Sequence, residues 1–130
     1  RPTLVPREVT GETWLRRADR PALAQGGPRA RLIARQAQTF ARDEGYEVRY
    51  GRTCAALPDD LINFQYDPLA CAIALGWHEG VEVRELPLRF AVEEGWLRAR
   101  VEEGGAPTPV VTAVAGRPFS DIWLRTVVER

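Results

Sequence analysis

The clearest periodicity runs from residue 28 to residue 43, where Leu32, Ile33, Gln36, Ala37 and Phe40 recur at helical spacing. This predicts a helix with one apolar stripe, opened by Pro28 and closed by Gly45. A shorter helix is expected before it, starting at Asp19 with Pro21 two residues on and stopping at Gly26-Gly27. Residues 3–9 carry β-branched positions around Pro6 and read as a short strand at an edge or bulge. Thr10 or Thr13 is placed to cap a short helical turn through Trp14 and Leu15. Residues 45–65 have no clean period and read as a surface loop with some extended character.

A further helix start lies in Phe64-Gln65-Tyr66-Asp67-Pro68-Leu69-Ala70-Cys71-Ala72. An acidic residue followed by proline and a small, apolar run predicts a helix over 67–75, with Asp67 as N-cap, Pro68 as first helical residue and Gly76 as the stop. From Val81 the period switches to two. Val81, Val83, Leu86, Leu88 and Phe90 predict strands, and residues 91–97 read as strand, tight turn and return strand. Leu97, Ala99 and Val101 alternate with Arg98 and Arg100, the pattern of a half-buried antiparallel strand. A turn-rich connector, a strand over 110–114, and a terminal helix from Pro118 with Phe119, Ile122, Trp123, Thr126 and Val127 inward complete the chain.

The chain has 130 residues, 45% of them hydrophobic, which suits a single domain over 1–130 with a packed core. Lys+Arg and Asp+Glu are both 18, so the formal net charge is zero. That balance argues against a nucleic-acid polymer as partner, which needs a concentrated basic face. Arg16, Arg17 and Arg20 cluster locally, as do Arg29, Arg31 and Arg35, and read as solvated helix faces. No stretch reaches the roughly 18 apolar residues of a membrane span. Cys54 and Cys71 match no metal or redox spacing; Cys71 is expected as a buried free thiol, and the compartment as reducing and cytoplasmic. The chain begins Arg1-Pro2 and contains no Met, so it is expected to be a piece of a longer protein.

Candidate chemistry is sparse. Asp67 serves as a helix cap on its local pattern, and Tyr66 and Phe64 either flank a pocket or pack the core. His78, the only His, falls in a turn, and Ser120 reads as a capping residue. The order of elements, however, resembles the closing part of the inosine-uridine-preferring nucleoside hydrolases. Leu4-Val5-Pro6-Arg7-Glu8-Val9-Thr10 is similar to the family's Leu-Val-Pro-Leu-Asp-Val-Thr strand. Tyr66-Asp67-Pro68-Leu69-Ala70 stands where the family has His-Asp-Pro-Leu-Ala.

The resemblance implies an α/β fold, the C-terminal portion of a nucleoside-hydrolase-like fold with helices and a small mixed or antiparallel sheet. It implies cleavage of the N-glycosidic bond of ribonucleosides with calcium holding the ribose hydroxyls and activating a water. By the same resemblance Asp67 is a calcium ligand, provided an Asp-rich N-terminal half complements it. Tyr66 takes the position of the family's His proton donor; its unperturbed pKa of about 10 makes it the poorer acid near neutrality. Tyr46, Arg49 and Tyr50 fall where the family has a mobile element near the base, which makes them lid candidates. The chain alone is expected to be inactive. Its partners are expected to be the complementing N-terminal half, further copies of itself, and a nucleoside as substrate. The alternative is a non-catalytic oligomerisation or partner-binding module descended from that family.

Overall fold

A computed structural model describes residues 2–46 and 57–129. The elements in chain order are α1 (Arg7–Thr10), β1 (Trp14–Arg16), a 3-10 turn (Arg17–Asp19), α2 (Arg20–Gln25), α3 (Pro28–Asp43), β2 (Leu61–Phe64), α4 (Tyr66–Ala74), β3 (Val81–Glu93), β4 (Trp96–Val101), β5 (Ala106–Val114) and α5 (Gly116–Val128). The described fold mixes helices with two small sheets. β1 and β2 form an antiparallel pair, and β4-β3-β5 form a three-stranded antiparallel sheet.

The first of these sheets replaces two expectations. Trp14 and Leu15 form no helical turn; they pair as a strand, Trp14 with Phe64 and Leu15 with Asn63. Within the region read as a loop, residues 61–64 are strand β2. Neither strand is long enough to carry a period. Pairing with a segment nearly fifty residues away is what makes each extended, because it buries Leu15, Leu61, Ile62 and Phe64 together. The expected strand over 3–9 is likewise corrected. Residues 7–10 wind into one helical turn, with the Thr10 amide donating to the Pro6 carbonyl at 3.1 Å. Only Leu4 keeps strand character, as an isolated parallel bridge to Val110 on β5.

Helix α3 has the bounds its periodicity predicts, and Ala37 and Ile33 of the expected stripe do meet the core, but the buried face is turned from that stripe toward the alanines. The buried stripe is Ala30, Ala34, Ala37 and Ala41, whereas Leu32 and Phe40 are exposed. Alanines let α2 and the β1–β2 pair approach closely, and the core closes with Leu23, Leu15, Leu61, Ile62 and Tyr46. Trp123, Leu124, Val127 and Val128 of α5 cover this core from another side. Gly116, in the first turn of α5, lies directly against the Glu12 backbone, so no side chain fits there.

The long strand β3 pairs with β4 around a two-residue turn at Glu94-Gly95. Both turn residues have positive φ, 51° and 80°, as a type I′ hairpin requires. In register, Phe90 faces Ala99 and Val92 faces Leu97. The expectation of a half-buried β4 does not hold: all its residues are exposed, and its apolar side is not covered by any described element. Val92 is 74% exposed, Leu97 71% and Val101 65%. The opposite side of the hairpin carries the ion pairs Arg89–Glu102 at 2.6 Å and Arg100–Glu93 at 2.7 Å. Among the described residues, no helix is long and apolar enough to cross a membrane.

Candidate functional site

Helix α4 begins two residues earlier than its acidic-proline pattern predicts. Its N-cap is Gln65, and Asp67 and Pro68 lie in its first turn. The reason is tertiary. Gln65 is only 3% exposed and is tied from several directions. Its amide N–H donates to the Thr13 carbonyl at 3.0 Å, and its own carbonyl accepts from the Leu69 N–H at 3.1 Å and the Thr13 hydroxyl at 3.4 Å. Its side-chain Oε1 accepts a 2.6 Å hydrogen bond from the buried Ser120 hydroxyl of α5. Ser120 is therefore a clamp on the α4 entry, and not the local cap that its neighbours suggest. Asp67, released from capping, is exposed; its carboxylate makes no hydrogen bond or ion pair among the described residues.

The start of α4 opens onto a cavity of about 500 Å³ between β1–β2, α3 and α5. Phe40, Phe64, Tyr66 and Trp123 supply aromatic walls, and Gln36, Asn63, Gln65 and Asp67 supply polar groups. Phe64 and Tyr66 stack with their rings 5.1 Å apart and nearly parallel. The Arg7 guanidinium lies over the Tyr66 ring at 5.6 Å, a cation–π contact that holds the ring in place. Gln65 Nε2 is buried and has no hydrogen-bond partner among the described residues, while its residue lines this cavity. An amide donor left unpaired in a buried position is costly, on the order of 1–3 kcal/mol, unless something else accepts from it.

Of the residues singled out from sequence, the fold brings Tyr66, Asp67 and Phe64 to one cavity. Tyr46 lies elsewhere: it is buried in the core, edge-on to Phe40 at 5.4 Å and to Phe64 at 5.9 Å, behind the cavity wall and not at its rim. Arg49, Tyr50 and Cys54 lie outside the described residues. Cys71 is exposed on α4, so the expected buried thiol is corrected; it sits on the side of the helix turned away from Leu69, the residue that α4 buries. His78 occupies a surface turn, with Nδ1 3.0 Å from the Gly76 carbonyl.

Gln65 was not distinguishable by sequence. A polar residue between an apolar strand and a helix start is common, and only the fold shows it sealed against Ser120. Trp123 had a readable signal, its place on the inward stripe of α5.

Calcium needs six to eight oxygen ligands. Among the described residues there is no group of three or more His, Cys, Asp or Glu side chains that could hold a metal ion. Asp67 therefore does not by itself fit calcium. Asp60, which does not line the cavity, has a displaced pKa. Burial pushes Asp60 up, but the Arg16 hydrogen bond at 2.7 Å, the Ala18 amide and the Arg16 charge outweigh it and hold the group below the usual carboxylate range. Comparison with protein-family models and with curated proteins found no match for this chain.

Proposed function

We propose that the aromatic cavity at the start of α4 receives the base of a ribonucleoside, and that the chain is the closing segment of a calcium-dependent nucleoside N-ribohydrolase, inactive by itself. The observation that carries this is a cavity walled by Phe40, Phe64, Tyr66 and Trp123 and lined also by Gln65, whose buried Nε2 has no hydrogen-bond partner among the described residues. Purine and pyrimidine rings offer a flat face for stacking and carbonyl or ring-nitrogen acceptors for such a donor. Asp67 and Tyr66 stand at the same opening, in keeping with the resemblance of Tyr66-Asp67-Pro68-Leu69-Ala70 to the family's motif. Calcium enters the reading only with carboxylates from another segment or chain. What these residues do themselves is bind and orient: the aromatic walls exclude water from one side of the base, the Gln65 amide fixes its edge, and Asp67 presents a free carboxylate towards the sugar.

Two measurements test this. Inosine or uridine titrated into the chain should change its tryptophan fluorescence, and Phe40→Ala should weaken binding about tenfold, as loss of a stacking partner does. Combined with the Asp-rich N-terminal half of a nucleoside hydrolase, the chain should release base from inosine in a calcium-dependent way, and Asp67→Asn should lower that rate at least tenfold. Absence of nucleoside binding together with absence of complementation would end this reading.

The second reading is a non-catalytic module that binds copies of itself. It is favoured by one observation, the exposed apolar side of the β3–β4 hairpin formed by Phe90, Val92, Leu97 and Val101.

A further inference from the structure

Helix α3 separates two cavities. Ile33, Gln36, Ala37 and Phe40 face the one at α4, and Arg31, Ala34 and Arg35, on roughly the opposite side of the helix, face another of about 480 Å³. This second cleft lies between the 3-10 turn, α2 and α3. Arg17, Arg20, Arg31 and Arg35 line it together with Pro21, Ala24 and Ala34, and no acidic residue does. In a chain of zero net charge, a concavity lined by four arginines and by no acidic residue is a strong local departure.

Two acidic groups next to this segment, Asp19 and Asp60, are engaged away from the cleft. Asp19 accepts from the Arg16 amide at 2.8 Å and faces Arg117 at 3.5 Å. Asp60 is held by the Arg16 side chain at 2.7 Å and the Ala18 amide at 3.2 Å. Arg31 is anchored at the mouth by donating from Nη1 to the Gly26 carbonyl at 2.9 Å. The side chains of Arg20 and Arg35 make no hydrogen bond or ion pair among the described residues, so their guanidinium groups are free to take a ligand.

We propose that this cleft is a binding site for a diphosphate group, separate from the α4 cavity and independent of the nucleoside reading. Guanidinium is the side chain best matched to phosphate oxygens, because its planar donors engage two of them at once. Arg20 on α2 and Arg35 on α3 each offer an uncommitted guanidinium from a different wall of the cleft, one for each phosphate of a diphosphate. The volume falls within the roughly 300–1,000 Å³ of ordinary ligand pockets. Pro21, Ala24 and Ala34 give apolar surface beside the charges, which an attached organic group can cover. The two sources of the group are free pyrophosphate and a nucleoside diphosphate.

Calorimetric titration of the full chain with pyrophosphate, ADP and adenosine decides the matter. Pyrophosphate or ADP should bind at least tenfold more tightly than adenosine, with affinity falling as salt rises. Tighter binding of ADP than of pyrophosphate assigns the organic source, and equal binding assigns the inorganic one. Arg20→Gln combined with Arg35→Gln should weaken binding at least tenfold with an unchanged circular dichroism spectrum. Should that pair fail to fold, each single substitution should weaken binding severalfold. Phe40→Ala, on the other side of α3, should leave it unchanged. Equal affinity for ADP and adenosine, undiminished binding by the arginine variants, or tighter binding of a short oligonucleotide than of ADP would each overturn the proposal.

Discussion

Single residues in this chain act through partners that are distant in sequence. Asp60 is the clearest case. It joins β2 to the 3-10 turn by accepting from Arg16 Nε and from the Ala18 amide. Because its carboxyl is held below the usual carboxylate range, it binds fewer protons in the folded chain than in the unfolded one. Its contribution is complete above the unfolded value of about 4 and is lost as pH falls through the folded value. Asp60→Asn should therefore lower stability by about 1 kcal/mol at pH 7 and by less at pH 3, so that thermal melts of the two proteins converge in acid. Melts that remain equally separated at both pH values would refute this account. Gln65 shows the same dependence on remote partners. Its neighbours Phe64 and Tyr66 were readable as aromatic candidates, but its burial against Thr13 and Ser120 follows from the meeting of segments more than fifty residues apart.

At the scale of elements, periodicity located α3 correctly and set its buried face, which keeps Ala37 and Ile33, too far toward the larger side chains. Both the leucine-containing stripe and the alanine stripe satisfy helical spacing, and hydrophobicity alone favours the larger side chains. Close packing against α2 and the β1–β2 pair selects the smaller ones instead. Ala30→Leu, at a fully buried position against Gly26, should cost about 1–3 kcal/mol by overpacking. Leu32→Ala, at an exposed position, should cost less than about 1 kcal/mol. The reverse order in chemical denaturation would mean that the helix is turned the other way. The β3–β4 hairpin was legible because its signals are local: alternation along both strands and a Glu94-Gly95 turn that adopts positive φ. Strands β1 and β2 were not, since three or four residues carry no period and acquire their conformation only by pairing.

At the scale of the molecule, the apolar residues divide unevenly. Those of α2, α3, β1, β2 and α5 converge on one core, while Phe90, Val92, Leu97 and Val101 remain on the open side of a hairpin. Contiguous exposed apolar surface of this kind favours association. The chain is expected to sediment as an oligomer at micromolar concentration, and Val92→Lys combined with Leu97→Lys should return it to monomer without loss of helical signal. A wild-type chain that is monomeric throughout would remove the self-binding reading and leave that face to a different partner. Because this hairpin lies apart from the α4 cavity, the same variant should keep its nucleoside affinity.

What the sequence by itself determined is whatever a short window encodes: the bounds of α3, the stop after α2, the hairpin turn, and an acidic-proline helix start near residue 67. It also placed the resemblance to nucleoside hydrolases on Tyr66 and Asp67. Only the tertiary structure decided which face of α3 is buried, that Gln65 and not Asp67 caps α4, and that four arginines from three segments share one cleft. The physical reason is that burial and pairing are set by contacts between segments remote in the chain. No local pattern of polar and apolar residues specifies which of several chemically equivalent faces such a contact will choose.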